Sequence, residues 1–165
     1  MPRQRIIVLM GSKSDLPFAQ KIADFLVAEQ FTVNCEYAVS SAHRTPDKLL
    51  QKLDEYEKAG DNIVFVTVAG LSDALSGVAA GFSTFPVIAC PPDLDKYGPA
   101  KVFSSVMTPA GVPVLLASKP ENAALAAVKI LALANSSLRR EIEAYIARNK
   151  KKVSEADMEV AGKAR

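Results

Sequence analysis

Short runs of apolar residues alternate along the chain with segments whose apolar positions recur every three to four residues. The runs are rich in residues that favour buried strands, and we predict strands at residues 5–10, 31–39, 62–68, 86–90 and 112–117. The other segments predict helices at residues 16–30, 45–60, 73–82, 123–134 and 138–153. The chain therefore alternates strand and helix along most of its length.

Two of the helix starts carry specific signals. Residues 45–47 read Thr-Pro-Asp, which places an N-cap residue, a proline and an acid in the order typical of a first helical turn. Gly60 is a natural end for that helix. Ser118 and Glu121 have the spacing of a capping box ahead of the next-to-last helix.

This alternation predicts an α/β protein. Helices between strands imply crossover units and a parallel sheet that is covered on both faces. We predict a three-layer α/β/α sandwich with a mostly parallel, five-stranded sheet in flavodoxin-like order. Residues 1–165 are expected to form a single domain with a C-terminal helical tail from about residue 137, and residues 154–165 are expected to fray.

The helix predicted at residues 123–134 is apolar nearly all round, with Lys129 as its single charged residue. One domain of this size has little room to cover such a helix on every side. The pattern therefore suggests a homo-oligomer whose subunits pack over the helix. The alternative is a helix held between the sheet and the last helix of the same chain.

Length, composition and charge exclude several classes of protein. The 165 residues are 49% hydrophobic and 23% charged, which argues against disorder and against a disulfide scaffold. The net charge of +2 gives no electrostatic footprint for nucleic acid. No run is long enough to span a membrane and no signal peptide is recognisable, so the expected location is the cytoplasm.

Residues suited to metal or redox chemistry are few. Cys35 and Cys90 are isolated and are predicted to be buried thiols in a reducing compartment. His43 is the single histidine, which excludes any site built from two or more histidine ligands. We predict no metal site.

The loops after the first three strands form the candidate site, because doubly wound sheets bind ligands beyond the carboxyl ends of their strands. The first loop carries Gly11, Ser12 and Asp15 just before a helix. Its hydroxyls and free N–H groups could hold an anion, or its serine and aspartate could cap the helix. It is neither a Walker A loop nor a GxGxxG loop.

The second and third loops add an imidazole, a cation and small residues. Ser41, His43 and Arg44 lie at the second strand-to-helix junction, where they suit acid–base chemistry on an anion or form a solvated surface group. Gly70 and Ser72 allow the backbone to approach a ligand or serve a tight turn. Three such loops at one sheet edge favour a small-molecule site.

Two segments of this candidate site match known motifs. Residues 10–15 (Met-Gly-Ser-Lys-Ser-Asp) and 41–47 (Ser-Ala-His-Arg-Thr-Pro-Asp) resemble the two best-known motifs of the aminoimidazole ribonucleotide carboxylase family of de novo purine synthesis. The resemblance extends from residue 6 to about residue 134. It implies a homo-octamer that acts on a small ribonucleotide.

The family has two branches, and the third loop distinguishes them. The carboxylase branch adds CO2 directly, whereas the branch of N5-carboxyaminoimidazole ribonucleotide mutases moves a carboxylate from nitrogen to carbon and has a second histidine in this loop. Residues 69–77 contain no histidine, and with residues 90–92 they resemble the carboxylase branch. Arg44 follows the mutase pattern instead. We weight the third loop more, because a missing imidazole alters proton transfer whereas arginine for lysine preserves charge.

The resemblance also implies roles for the residues that bind the ribonucleotide. Ser12 is expected to hold the substrate phosphate, with Arg44 as its counter-charge. Asp15 resembles the ribose-binding acid of the family.

At the reacting end, Ser41, Gly70 and Ser72 are expected to line the place where CO2 and the imidazole meet. His43 is the expected general base. The reaction is expected to need no biotin, ATP or metal, because the substrate is itself an enamine-like nucleophile.

Two other classes of function are kept as alternatives on fold alone. A flavodoxin-like electron carrier would need aromatic residues to sandwich a flavin, and the chain has no tryptophan and only 7% aromatic residues. A non-catalytic signalling or nucleotide-binding domain of the receiver type would carry an acidic cluster at these strand ends. Serine, glycine and histidine are found there instead.

Overall fold

Five parallel strands form one sheet in the computed structural model, which describes residues 2–163. They are β1 (Gln4–Met10), β2 (Asn34–Val39), β3 (Asn62–Val68), β4 (Val87–Ala89) and β5 (Leu115–Leu116). Their order across the sheet is β2-β1-β3-β4-β5, and each neighbouring pair is parallel. The predicted flavodoxin-like order is confirmed, and it places the ends of β1, β2 and β3 side by side.

Residues of the central strand β1 alternate between two cores. Ile6, Val8 and Met10 pack against one layer of helices, and Ile7 and Leu9 pack against the other. All five are at most 2% exposed, because helices cover both faces of the sheet. Burial on both faces explains why the sequence of this strand is an unbroken apolar run rather than an alternation.

Among residues 2–163, seven α-helices connect and cover the strands. They are α1 (Leu16–Ala28), α2 (Pro46–Glu57), α3 (Ala74–Phe82), α4 (Leu94–Tyr97), α5 (Pro99–Val106), α6 (Pro120–Leu131) and α7 (Ser136–Lys163). Helices α1, α6 and α7 supply one core, and α2 and α3 supply the other. The three-layer arrangement is confirmed, and α2 begins at the predicted proline.

The region between β4 and β5 differs from the sequence prediction. Helices α4 and α5 lie where we predicted no element, and β5 has two residues instead of the predicted six. The capping box predicted at Ser118 and Glu121 is also wrong. Lys119 is the N-cap residue of α6, and its side chain makes no capping hydrogen bond.

Helix α7 extends well past the predicted end of the last helix. Residues 154–163 are helical rather than frayed, whereas residues 164 and 165 lie outside the described part of the chain. This exposed end is stabilised by i,i+4 ion pairs, Lys151 with Glu155 at 3.6 Å and Lys163 with Glu159 at 2.6 Å. Its composition also favours helix, because residues 150–161 contain neither glycine nor proline.

The apolar helix α6 is covered within one chain. Ala123, Ala127, Val128 and Leu131 are at most 4% exposed and belong to the core shared with α1 and α7. Packing between the sheet and the last helix of the same chain, the alternative to an interface between subunits, therefore accounts for the apolar composition of α6. The helix by itself does not require a second subunit, although Leu133 just beyond it is 79% exposed.

An ionic network ties the amino-terminal edge of the sheet together. The buried guanidinium of Arg5 donates to both carboxylate oxygens of Glu36, at 3.0 and 2.6 Å, and to Asp61 Oδ2 at 2.9 Å. Arg3 donates to the same oxygen of Asp61 at 2.8 Å. The Arg5 side-chain hydrogen bond lowers the pKa of Glu36, and that of Arg3 lowers the pKa of Asp61. This network lies at the amino-terminal ends of the strands, whereas the candidate site lies at their carboxyl ends.

Acid is therefore expected to destabilise the fold through this network. Because both pKa values are lower in the folded chain, the two carboxylates stabilise it fully above their ordinary values of 3.8 and 4.5 and lose that contribution as the pH falls through the folded values. Asp61→Asn should lower the free energy of unfolding at neutral pH and flatten its decline toward about pH 3. Urea denaturation across this range measures both effects.

The matched control for that experiment is Asp54→Asn, because Asp54 pairs with Lys58 on the exposed surface of α2. This variant should follow the wild-type pH profile. Identical pH profiles for Asp61→Asn and the wild type would contradict the role assigned to the network.

Candidate functional site

The loops after β1, β2 and β3 meet at the carboxyl edge of the sheet and enclose a cleft of about 570 Å³. The ladder of main-chain hydrogen bonds continues into these loops, from Gly11 N–H to Val68 O at 3.0 Å and from Ser40 N–H to Met10 O at 2.9 Å. All seven residues predicted for the site line the cleft: Ser12, Asp15, Ser41, His43, Arg44, Gly70 and Ser72. The fold thus brings together residues that are far apart in the sequence.

A reciprocal pair of hydrogen bonds fixes the first loop. Ser12 is the N-cap of a 3₁₀ helix at Lys13–Asp15, where its hydroxyl accepts from the Ser14 N–H at 3.4 Å. Asp15 Oδ2 in turn accepts from the Ser12 N–H at 2.9 Å. This capping box confirms the capping alternative for the loop. Because both residues also line the cleft, the cap holds in place side chains that a ligand would meet.

The second loop folds back on itself around Thr45. Thr45 is the N-cap residue of α2, as predicted, but its hydroxyl makes no capping hydrogen bond. It accepts from the Ser41 N–H at 3.1 Å and donates to the Ser41 carbonyl at 3.3 Å. Ser41 Oγ accepts from the Arg44 N–H at 3.2 Å. His43 and Arg44 are both exposed, and Arg44 Nη2 donates to the Gly11 carbonyl at 3.4 Å. The guanidinium therefore links the second loop to the first.

A buried polar network anchors the third loop. Asp73 is 4% exposed, and its carboxylate accepts from the Ser76 N–H at 3.0 Å, the Ser76 hydroxyl at 2.6 Å and the Ser105 hydroxyl at 2.8 Å. The Ser76 hydroxyl also lies 2.7 Å from Thr67 Oγ1 on β3. Asp73 thus caps α3 and ties it to α5, which fixes the end of the loop.

The Asp15 carboxylate lies close to that of Asp93 beside the cleft, and its pKa is raised above the ordinary value. A Cβ added at Gly70 would lie 3.5 Å from Asp93 Oδ2 and 3.9 Å from Asp15 Oδ1, so both carboxylates adjoin this glycine. Burial raises the pKa of Asp15, and the charge of Asp93 raises it further. The hydrogen bond from the backbone and the positive charges of Lys101 and Arg44 act in the opposite direction.

A neighbouring hollow of about 670 Å³ continues the cleft toward α2. It shares residues of the first two loops with the cleft, Arg44 among them. It is cationic because Lys13, Lys48 and Lys52 line it together with Arg44, against the single acid Glu55. Guanidinium and ammonium groups are the side chains that proteins use to hold phosphate. The combined site is therefore suited to an anionic small molecule.

Sequence reasoning missed three residues of this region: Leu71, Asp93 and Lys101. Leu71 lines the cleft in the left-handed region, with φ of 56°. Asp93 and Lys101 contact it from the segment in which we predicted no element. The hydrophobic pattern gives no sign of these contacts, because a lysine that is 2% exposed looks like any surface lysine in a sequence.

The two cysteines do not adjoin this site. Cys90 is buried and Cys35 is half-buried, and neither forms a disulfide. Burial raises the pKa of Cys35 to about 11 and that of Cys90 to about 12. Both are protonated thiols at neutral pH, which makes them poor nucleophiles.

Two features are absent from residues 2–163, a metal-binding cluster and a membrane-spanning helix. No three histidine, cysteine, aspartate or glutamate side chains are grouped in a way that could hold a metal ion. No helix in this range combines the length and the apolar composition that crossing a membrane requires.

The geometry supports proton transfer to or from a bound anion. His43 provides an imidazole at the mouth of the cleft, where Ser41 and Ser72 add hydroxyl groups. Ala69 and Leu75 contribute apolar surface. A ligand can thus place its anionic part near Arg44 and its reacting part near His43.

Comparison with known proteins gives consistent matches over nearly the whole chain. A family model described as AIR carboxylase matches residues 5–152. A phosphoribosylaminoimidazole carboxylase of Archaeoglobus fulgidus is 42% identical over 156 residues, covering 94% of this chain and 84% of the relative. An N5-carboxyaminoimidazole ribonucleotide mutase of Methanocaldococcus jannaschii is 40% identical over 157 residues, covering 94% of this chain and 96% of the relative.

A solved structure agrees with the fold as well. The crystal structure of Treponema denticola PurE superposes with a TM-score of 0.89 at 36% identity, covering 95% of this chain and 98% of the other. The relatives therefore include both carboxylases and a mutase at nearly equal identity.

Proposed function

The chain belongs to the AIR carboxylase family, an enzyme family of purine biosynthesis that acts on a small ribonucleotide, and we propose that it adds CO2 directly to 5-aminoimidazole ribonucleotide. The product is 4-carboxy-5-aminoimidazole ribonucleotide, which makes the enzyme a carboxy-lyase by class. One observation carries this choice over the mutase. The wall of the cleft formed by residues 70–72 supplies no second imidazole, and His43 is the single histidine of the chain.

The alternative within the family is an N5-carboxyaminoimidazole ribonucleotide mutase. Arg44 favours it, because the carboxylase branch resembled by the third loop usually has lysine at that position. Overall identity is no guide, since 42% to a carboxylase and 40% to a mutase are nearly the same. The third loop is the better guide, because it bears on the groups available for proton transfer.

Binding of the ribonucleotide is assigned to the first two loops. The hydroxyl of Ser12 and the guanidinium of Arg44 are proposed to hold the phosphate, which the cationic hollow toward α2 would favour electrostatically. Asp15 is proposed to accept hydrogen bonds from the ribose hydroxyls. Its capping contact with the Ser12 N–H uses Oδ2 and holds the carboxylate at the cleft.

Carboxylation is proposed to occur between His43 and the third loop. The ring carbon of the aminoimidazole supplies an electron pair to the carbon of CO2, and a carbon–carbon bond forms. That ring carbon then carries both the new carboxylate and its original hydrogen. His43 accepts this proton, the C–H electron pair returns to the ring, and aromaticity is restored.

The remaining walls of the cleft are assigned to CO2. Ser41, Gly70 and Ser72 are proposed to line its position, and a cleft partly closed to water would protect it from hydration. No biotin, ATP or metal is proposed, because the amino group of the substrate already activates the ring carbon. The octamer implied by the family resemblance stays a prediction.

An ultraviolet assay of the purified protein separates the two branches. One sample receives 5-aminoimidazole ribonucleotide in a bicarbonate/CO2 buffer without ATP, and the other receives the N-carboxylated ribonucleotide at low CO2. We expect rapid carboxylation in the first sample and no faster reaction in the second. Activity with the N-carboxylated substrate alone would identify a mutase that works without a second histidine.

The N-carboxylated substrate can release CO2 in solution, and a direct carboxylase could then use that CO2. An isotope label distinguishes this route from transfer of the carboxylate by a mutase. When its carboxylate carries carbon-13 and the buffer carries unlabelled bicarbonate, a direct carboxylase should form mostly unlabelled product. A mutase should retain the label. Inactivity in every arm would contradict both reactions and would favour a non-catalytic nucleotide-binding domain.

A further inference from the structure

Leu71 occupies a backbone conformation that side chains rarely adopt. Its φ is 56°, in the left-handed region where the Cβ crowds the backbone, and it is followed by the exposed Ser72. Such a residue persists in this conformation only when its surroundings hold it there. Both neighbours of Leu71 in the sequence, Gly70 and Ser72, line the cleft together with it.

Two oppositely charged side chains hold the backbone of Leu71 at its two polar groups. Asp93 Oδ2 accepts a hydrogen bond from the Leu71 N–H at 2.7 Å, and Lys101 Nζ donates to the Leu71 carbonyl at 2.6 Å. Asp93 is the N-cap residue of α4, and Lys101 lies on α5. We call Asp93 and Lys101 together the clamp. Both residues come from the segment between β4 and β5, far from Leu71 in the sequence.

The burial of Lys101 indicates that this contact is specific. Its side chain is 1% exposed, that of Asp93 is 17% exposed, and Lys101 Nζ lies 3.9 Å from Asp93 Oδ1. A buried ammonium is costly unless it is paired and hydrogen-bonded. Here the ammonium has one carbonyl and one nearby carboxylate as its partners.

Asp93 also lies near Asp15, the acid of the first loop, and the charge of Lys101 acts on that acid as well. Asp93 Oδ2 and Asp15 Oδ1 both lie within 4 Å of the position that a Cβ of Gly70 would take. The charges of Asp93 and Lys101 act in opposite directions on the pKa of Asp15. Loss of either partner would therefore disturb both the third loop and the electrostatic environment of the first.

We infer that Asp93 and Lys101 are a pair of positioning residues that hold Leu71 in the left-handed conformation and so set the wall of the substrate site at residues 70–72. This inference rests on the proposed function for its catalytic consequence, because residues 70–72 are assigned there to the reacting end of the substrate. Neither residue is proposed to touch the substrate.

A double-mutant cycle with Leu71→Gly tests the clamp. Glycine adopts a positive φ without the crowding, so a chain carrying Leu71→Gly should need the clamp less. We expect Lys101→Met to raise KM for CO2 about tenfold in the wild-type background, with a smaller change in kcat, as loss of one charged hydrogen bond predicts. In the Leu71→Gly background, Lys101→Met should raise the same KM by less than about twofold.

Asp93 provides a second, independent pair of variants in case Lys101→Met does not fold. Asp93→Ala removes the acceptor for the Leu71 N–H, whereas Asp93→Asn keeps an oxygen at that place. We expect KM to rise in Asp93→Ala and to return most of the way to the wild-type value in Asp93→Asn. Lys96→Met is the matched control, because Lys96 is exposed on α4. It should leave KM unchanged.

Amide hydrogen exchange of the peptide around Leu71 separates failure of this inference from failure of the proposed function. Faster exchange in Lys101→Met and Asp93→Ala, in a protein inactive with both ribonucleotides, would leave the clamp standing and reject the function. An active wild type with unchanged KM and unchanged exchange in these variants would reject the clamp. The clamp would also be rejected if Lys101→Met raised KM by the same factor in the wild type and in Leu71→Gly.

Discussion

His43→Asn is expected to lower kcat by about 10²- to 10⁴-fold while the ribonucleotide still binds. The imidazole is the group proposed to take the proton from the carboxylated ring carbon, and the chain has no second histidine to replace it. Asparagine is similar in size but cannot accept a proton at neutral pH. Steady-state kinetics in the ultraviolet assay, together with calorimetric titration of the substrate, measure the two effects separately.

The control for this variant lies four residues away. Asp47→Asn removes a charge from the first turn of α2, at an exposed position outside the cleft, and should leave kcat within about twofold because exposed charges contribute little. Near-normal turnover of His43→Asn would reject the role of the imidazole. Loss of binding together with turnover would instead assign His43 to holding the substrate.

Phe65→Ala is expected to lower the free energy of unfolding by about 3–5 kcal/mol. Phe65 is fully buried on β3, and its ring lies 5.6 Å from that of Tyr56 in an edge-on arrangement and 6.3 Å from that of Phe85. Truncation would leave a cavity between the sheet and the layer formed by α2 and α3. Urea denaturation at a fixed protein concentration gives the change.

Phe103→Ala makes the same chemical change on α5, where the side chain is 57% exposed. It should cost far less, because the surface closes around the smaller side chain and no cavity forms. Similar losses in the two variants would show that Phe65 is not a core residue in solution.

The elements that the sequence predicted best are those whose burial follows from local pattern. The observed ends of strand β3 match the prediction, because all of residues 63–68 are buried between two layers and only Thr67 among them is polar. Helix α2 began at the predicted proline. The sequence pattern does not predict helices α4 and α5, because they are short and because Pro91 and Pro92 indicate only the end of β4.

The candidate site could be located for a related reason. The carboxyl ends of neighbouring parallel strands share one edge of a sheet, so predicting the strands and their order also predicts which loops meet. This reasoning predicts Ser12, His43 and Gly70 at one cleft, and all three line the cleft in the structure. The motif resemblance then indicated the chemistry, which the fold alone does not specify.

The amino-acid pattern alone is therefore enough to predict the fold class, and with it the three loops that form the site, because each buried strand and each helix leaves its own periodicity in the sequence. The covering of α6 by its own chain and the burial of Lys101 against Leu71 are visible only in the folded structure. The buried ammonium of Lys101 needs partners, and these come from the Leu71 carbonyl, thirty residues away, and from the Asp93 carboxylate. No local pattern records these partners, so they become visible only when the chain has folded.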